Sequence, residues 1–502
     1  MDKFKNKPKL LSTKNIMYFL NFSLFLFFLT YGIIVGIDGN DFWWHAKVGE
    51  WICKNKQIPT TGIFSWWTEL NNYSWVSHEW LSEVIFFKIK DIFGNIGITI
   101  FSISLFFLSQ FIVMKSTEKK WENNYVFGLL WFLYNIAIYT FATHCRPYLF
   151  NFIFLALEIS FIYDLIKNEK SKKIFFTPLI AILWVNAHGA SSNLSYLLIL
   201  LVIITGIIPD FSFYKLQNNK LSKLQIKKLF IVFFSTILAN IINPHGINML
   251  TYGLRFDNNI DYQVIQEWQP IDLKTIFGII MALGIIVSLI ILIITDKKIK
   301  LLDLLLFGGF AFLSLRSVRF EFLFFIVCSF FIFEYLPKEI NFINKKEINI
   351  LILIISMIFI IFSSTMLIIS KNHVYIKTNL SKNVIEDVKA FNPKRLFNEY
   401  SYGEELIWND IPVFIDSRAG DLYSQEDTIN YYFAINNLSA DYIPYNEENK
   451  KQLLDIDYLW DKKYKFDSAL IFSSSPLNTY LDKKEGWEIK FQKDDTVFWI
   501  KK

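Results

Sequence analysis

The residues that could do chemistry gather at the ends of apolar runs. Asp38 and Asp41 stand in "DGNDFWWHAKVGEW" directly after the first such run with His45 behind them, and His78 and Glu79 follow in "WVSHEW". Asp38, Asp41 and His45 are spaced i, i+3 and i+7, so a helix would put them on one face. A carboxylate crowded by tryptophans and partly desolvated holds its proton more tightly, which suits a general base; Asp41 is the first candidate and Asp38 the second. The competing role for Asp41 is to cap a helix start. Arg146 in "THCRPY" and Arg316 and Arg319 in "SLRSVRF" offer guanidinium forks that fit phosphate, the alternative being snorkelling at a positive helix end. His188 in "NAHGASSN", His245 in "NPHGIN" and Glu267 in "IQEWQP" complete the candidates for binding substrate or metal. Asp38, Asp41, His45, His78 and Glu79 include enough donors for a divalent ion, Mg or Mn favoured by the carboxylates and Zn by the imidazoles. No H-E-x-x-H pattern and no Gly-rich nucleotide motif accompanies them, so no nucleotide cofactor is expected.

The elements that must position these groups follow from composition. A chain of 502 residues with 53% hydrophobic and 19% charged residues is too apolar for an ordinary soluble protein. Apolar runs long enough to cross a bilayer recur at 15–37, 96–114, 125–143, 148–166, 174–187, 192–208, 228–243, 275–295, 302–316, 319–336 and 349–370, eleven in all. The basic start "MDKFKNKPKLLSTKN" reads as the flank of an uncleaved signal anchor. Lysines then recur in alternate loops, which places the N-terminus and those loops in the cytoplasm and everything after residue 370 outside. The net charge of +5 is thereby an orientation signal that needs no nucleic-acid partner. The histidines His45, His78, His144, His188 and His245 fall in outer loops between the spans with the arginines, which points to one outward-facing site. Glu158, in the middle of the fourth run, is either functional or hydrogen-bonded to a neighbouring helix.

The first outer loop, 38–95, carries two stretches of helical periodicity, "FWWHAKVGEWICK" and "WLSEVIFFKIKDIF". They read as interfacial helices with Trp43, Trp44, Trp66, Trp67, Trp75 and Trp80 at headgroup level. Residues 1–370 form the transmembrane domain in this reading. Residues 371–502 alternate turns with short apolar runs such as "PVFIDSR", "SALIFSS" and "DTVFWIKK", which predict a small extracytoplasmic α/β domain. Asp416 and Arg418 in that domain either reach the membrane site or form a local salt bridge. Cys53 and Cys145 both lie outside and can pair, whereas Cys328 is in a span.

The wording "DxxDFWWHxxxGEWI... IPxTxxFS... WVSHEWLSEV", with the later "NPHG", "IQEWQP" and "SLRSVRF", resembles the GT-C superfamily of membrane glycosyltransferases, more narrowly a bacterial multi-pass glycosyltransferase-like branch. The resemblance covers nearly the whole chain. It implies a GT-C-like α-helical polytopic protein of the cell membrane and inverting transfer of a sugar from a polyprenyl-phosphate donor. The acceptor would be an envelope glycan, lipid or protein on the outer face, and an acid of the first outer loop would be the catalytic residue. The better-known members carry Asp-Glu or Glu-x-Asp there, where this sequence has Asp38-Gly-Asn-Asp41. "FNEYSYGEELIWNDIPVFIDSRAGDLY" is faintly like the "WWDYGY" region of oligosaccharyltransferases. The competing readings are a lipid or glycan transporter or flippase, and a non-catalytic envelope-assembly membrane protein.

Overall fold

A computed structural model describes residues 12–121, 130–131, 134–135, 138–139, 144–253, 266–337, 345–370, 373–435 and 455–502. The helices used below are α1 (Thr13–Val35), α2 (Asn40–Asn55), α3 (Trp80–Trp121), α4 (Leu149–Lys167), α5 (Thr177–Ala187), α6 (Asn193–Ile207), α7 (Lys223–Asn240), α8 (Ile276–Ile294), α9 (Leu301–Arg316), α10 (Glu321–Tyr335), α11 (Lys345–Ile369), α12 (Lys382–Phe391), α13 (Gly403–Trp408), α14 (Gln425–Ile435) and α15 (Leu477–Lys483). The strands are β1 (Phe211–Phe213), β2 (Leu216–Asn218), β3 (Ile299–Lys300), β4 (Leu396–Asn398), β5 (Ser468–Phe472), β6 (Trp487–Lys493) and β7 (Thr496–Lys501).

Two compact units result. One comprises Met1–Ile37, Asn95–Thr251 and Pro270–Ile376; the other comprises Asp38–Gly94, Tyr252–Gln269 and Lys377–Lys502.

The first unit is the helical one. Six helices among the described residues are long and apolar enough to cross a membrane: Thr13–Val35, Trp80–Glu118, Leu149–Lys167, Gly189–Ile207, Ile276–Ile294 and Glu347–Ile369. The runs expected at 174–187, 302–316 and 319–336 are helices of 11, 16 and 15 residues, below that length. The run at 228–243 lies on α7, and most of 125–143 is outside the described residues. Local signals set the helix starts. Ser12 accepts from the Asn15 amide, Ser222 and Gln225 form a reciprocal capping box, and Thr275 caps α8 through the Gly278 amide. Inside α3 the backbone breaks at Gly94 (φ 65°, ψ −160°), a conformation open to glycine and closed to residues with a Cβ.

Within this unit α1 packs along α11, with Phe27 edge-on to Phe359 at 4.6 Å between centroids. Asp303 of α9 is buried and accepts from the hydroxyls of Tyr163 (2.7 Å) and Tyr335 (2.6 Å), which pins α4, α9 and α10 at one level. Glu158 is buried on α4 and accepts from the Ser195 hydroxyl of α6, the interhelical hydrogen bond that was one of its two expected roles. Cys145 and Cys328 are buried thiols.

The second unit is an α/β body around a four-stranded sheet of order β4-β5-β7-β6. β4 runs parallel to β5, while β7 is antiparallel to both β5 and β6. "SALIF" and "TVFWIK" are strands as expected; "PVFIDSR" contributes only a bridge from Val413 to Ser65. The core joins the sheet to the first loop: Trp44, Val48, Ile52 and Trp75 pack in one cluster with Leu396, Phe397, Leu406, Phe414, Leu470 and Phe498. This corrects the placing of Trp43, Trp44 and Trp75 at headgroup level. Trp43, Trp44 and Trp75 are buried in protein, and Trp44 and Trp75 lie in the core shared with the sheet. Periodicity reports that a face is apolar; it does not report what covers it.

Candidate functional site

In the α/β unit the site begins with the N-terminus of α2. Asp38 precedes the helix and its Oδ1 accepts from the Asn40 amide at 3.1 Å, a turn closure that fixes where the helix starts. Asp41 falls in the first turn and His45 one turn later. A Cβ on Gly49 would lie 2.0 Å from the Glu83 carbonyl oxygen, so glycine here lets α2 and the start of α3 touch backbone to backbone. That approach sets His45 against the acids of α3.

The result is an alternation of acids and imidazoles. His45 is buried, its ring 3.6 Å from that of Trp44; its Nδ1 is 3.6 Å from Glu83 Oε1 and its Nε2 3.8 Å from Glu79 Oε2. His78 Nδ1 is 4.0 Å from Glu79 Oε1, and its Nε2 is 3.6 Å from Asp421 Oδ2. The ends are fixed by hydroxyls: Ser77 donates to Glu83 at 3.1 Å and Tyr252 donates to Asp421 at 2.6 Å. His45, His78 and Glu79, singled out in the sequence, are thus brought together, with Glu83 and Asp421 added to them. Glu83 was legible, since it stands one helical turn after Glu79. Asp421 and Tyr252 had no local signal, being distant in sequence from the histidine they surround.

α13 packs on α2 and completes the surroundings of Asp41. The Asn379 side-chain amide donates to Asn40 Oδ1 (3.1 Å) and to the Ser401 carbonyl (2.9 Å), tying the two helix starts together. Glu404, in the first turn of α13, is buried and accepts from the Ser417 amide at 3.0 Å. Burial first, and the charge of Asp41 second, push the Glu404 carboxyl up to about 8. Burial likewise pushes Glu405 up to about 7 although it accepts from the Asn379 and Leu380 amides. Tyr400 is raised by burial and by the charges of Glu404, Asp41 and Asp416, so these groups share one neighbourhood. A carboxylate in this setting can take a proton from a bound hydroxyl or amide. Glu404 escaped the sequence reading because nothing local distinguishes it from the surface acids of any short helix.

Asp416 and Arg418 form a closed ion pair. Arg418 Nε and Nη2 donate to the two Asp416 oxygens at 2.8 and 2.7 Å, and Nη2 also donates to the Ile63 carbonyl at 2.9 Å. Tyr423 donates to Asp416 at 2.6 Å, and the guanidinium lies 5.7 Å from the Trp44 ring and 5.0 Å from that of Trp75. Of the two expected roles, the local salt bridge is the one built. Glu267, half-buried in a single 3₁₀ turn, also belongs to this unit, and Cys53 is a free thiol there.

The remaining candidates belong to the helical unit. Arg316 is exposed in the last turn of α9, and Arg319 is half-buried in the 3₁₀ turn Val318–Phe320 before α10. Arg146 precedes α4, where its carbonyl accepts from the Leu149 amide at 3.1 Å. Tyr148 stacks on Phe322 at 5.2 Å, which sets the segment after Arg146 beside the segment after Arg319. His188 is buried with Nδ1 3.2 Å from the Asn151 amide nitrogen, and Asn151 in turn accepts from Trp184 at 2.7 Å. His144 is half-buried before α4; His245 is half-buried, its backbone amide donating to Asn243 Oδ1 at 2.7 Å. Among the described residues no group of three or more His, Cys, Asp or Glu is placed to hold a metal ion. The donors of the first loop are strung out in pairs.

No family profile matches the sequence, and no curated protein is similar to it in sequence. Among solved structures the fold is similar to that of the Archaeoglobus fulgidus oligosaccharyltransferase tethered with an acceptor peptide containing the NVT sequon, with a TM-score of 0.53 at 11% identity. The match covers 91% of this chain and 69% of that one. At this identity the likeness shows the fold: a polytopic membrane protein with a small sheet-containing body is built on the same plan.

Proposed function

We propose that the chain is a GT-C-type membrane glycosyltransferase that moves a sugar, with inversion, from a polyprenyl-phosphate donor to an envelope glycan, lipid or protein acceptor at the outer face. The observation that carries this reading is Asp41: an acid in the first turn of the helix that follows the first apolar helix, held beside Glu404 and Tyr400, in a fold similar to that of an oligosaccharyltransferase.

In this reading the Asp41 carboxylate takes the proton of the acceptor group as that group attacks the anomeric carbon. The bond from that carbon to the phosphate oxygen breaks, and its electron pair leaves on the lipid phosphate. Arg316 and Arg319, with Arg146, bind the phosphate through charge-assisted hydrogen bonds. Asp38 is the reserve candidate for the base, while His45, His78, Glu79, His188, His245 and Glu267 remain candidates for substrate. The lysine-rich loops support a cytoplasmic N-terminus with eleven spans and an outward C-terminal domain. The divalent ion suggested by the sequence, Mg, Mn or Zn, is a component to titrate in the assay.

The test is mass spectrometry of surface glycans and lipid-linked sugars in cells with and without the protein. A lipid-linked sugar that accumulates on deletion and is cleared by wild type but not by Asp41→Asn supports the reading; unchanged pools in all three overturn it.

A further inference from the structure

The connection between α6 and α7 carries an exposed aromatic tip. β1 and β2 form an antiparallel hairpin, Phe211 opposite Asn218 and Phe213 opposite Leu216, and β3 pairs parallel to β2. Two of the helices long enough to cross a membrane stop at Ile207 and Ile294, just before β1 and β3, so this small sheet lies where both leave a bilayer. Phe213 is 79% and Tyr214 88% exposed, although aromatic surface in water is costly. Tyr214 also has φ 53°, the left-handed region that a residue with a Cβ enters only at a cost. The hairpin beneath is tied down: Lys215 Nζ donates to the Ile293 (2.6 Å) and Thr295 (3.0 Å) carbonyls at the end of α8, and Lys298 Nζ donates to the Ser212 hydroxyl. Positive charge follows the tip. Lys220, Lys223 and Lys227 are exposed around the start of α7, whose first turn holds no acid. That is the wrong end of the helix dipole for a cation, so helix stability does not account for them. Asp210, the acid of the hairpin, accepts from the Lys220 backbone amide at 2.5 Å.

We propose that the hairpin tip and these three lysines form one docking surface for the anionic phospholipid headgroups of the surrounding bilayer, with the rings of Phe213 and Tyr214 at the acyl boundary and the ammonium groups on the phosphates. The occupant follows from charge complementarity and from continuity with the two apolar helices that end beside the sheet. An apolar contact or a basic cluster alone attaches weakly to a membrane, whereas the two together hold. Lysines that served only to orient the chain would leave the tip in water. Arg316 closes α9 and β3 leads into its start, about 22 Å away along the helix axis. The surface is therefore separate from the phosphate contacts assigned above and does not rest on the transferase reading.

The measurement is the emission of an environment-sensitive fluorophore on Tyr214→Cys, in the full protein without Cys53, Cys145 and Cys328, in nanodiscs of phosphatidylcholine alone or mixed with phosphatidylglycerol. In the anionic discs the emission should shift to the blue and be quenched from the acyl chains; in neutral discs, or at high salt, the tip should return to water. The preference for anionic lipid should fall about fivefold for each of Lys220, Lys223 and Lys227 replaced by Gln. A second variant guards against a tip that is merely structural. Tyr214→Gly relieves the backbone, so Tm should hold while the phosphatidylglycerol retained on the purified protein, counted by native mass spectrometry, drops; a lower Tm with an unchanged lipid count overturns the proposal. Emission that is alike in neutral and anionic discs, or that the triple Gln variant leaves unchanged, overturns it too. So does a tip that stays in water in both discs and is shielded only in native membranes, which would mark it as a contact for another protein.

Discussion

Replacing Asp416 by Asn should destabilise the α/β unit severely without changing its shape. The side chains of Asp416 and Arg418 are 0% and 1% exposed, and one edge of the guanidinium, Nε and Nη2, is bound by both oxygens of one carboxylate. Asparagine keeps the volume, keeps an acceptor for the Arg418 backbone amide and removes the charge. Arg418 then stays buried with the Ile63 carbonyl, two indole faces and the more distant Glu83 as its neighbours. Breaking a buried pair from one side costs about 3 to 5 kcal/mol, because the surviving charge has lost its compensation. At the few degrees per kcal/mol expected for a body of this size, that is a fall in Tm of roughly 10 °C. Trp44 and Trp75 lie against the guanidinium, so tryptophan fluorescence during heating in detergent reports on the right place. Arg418→Met should be costly for the mirror reason, since it leaves Asp416 buried. The double variant should cost clearly less than the sum of the two, since it removes both charges. A Tm within about 2 °C of wild type for Asp416→Asn, a change of under 1 kcal/mol, would refute the claim that this pair is a buried closure of the fold.

The other expectations are as follows. Asp41→Asn should keep expression and donor binding and lower turnover by about a hundredfold or more; full activity would move the base to Asp38, and full activity of the double variant would remove the loop from the mechanism. Gly49→Ala should push α2 off α3, since the added methyl lies 2.0 Å from the Glu83 carbonyl oxygen, at a cost of about 1 to 3 kcal/mol, read as a lower Tm and faster proteolysis at residues 56–62. The folded-state pKa values of Glu404 (about 8) and Glu405 (about 7) both lie above the ordinary 4.5. The stability they contribute is therefore fully present below 4.5 and is lost as pH rises through 7 to 8. Tm of the α/β unit should fall across that window, and Glu404→Gln should flatten the fall. Lys490→Cys in a background without Cys53, Cys145 and Cys328 should label from outside intact cells; labelling only after lysis would reverse the assigned orientation.

Much of the helical unit was readable from the sequence because a bilayer imposes a length and a polarity on each segment, and both are local properties. The runs at 15–37, 148–166, 192–208, 275–295 and 349–370 each correspond to a helix within a few residues. The two helices of the first loop were readable for the same reason, from their 3.6-residue period. Asp38, Asp41, His45, His78 and Glu79 could be singled out because charged and titratable groups beside apolar runs are costly and therefore conspicuous.

What covers each face was not local information. The apolar side of α2 read as lying on a membrane, whereas Leu396, Phe397, Leu406, Phe414, Leu470 and Phe498, far along the chain, pack with Trp44, Val48 and Ile52 in one core. Glu404 and Asp421 join Asp41 and His78 only through packing of segments hundreds of residues apart, so no spacing in the sequence could announce them. Arg418 read as either reaching the membrane site or forming a local salt bridge, and three-dimensional closure on Asp416 built the salt bridge. Sequence sets which groups are expensive to place; the tertiary structure decides which neighbour compensates each one, because burial, charge pairing and close backbone approach depend on distances between residues remote in the chain.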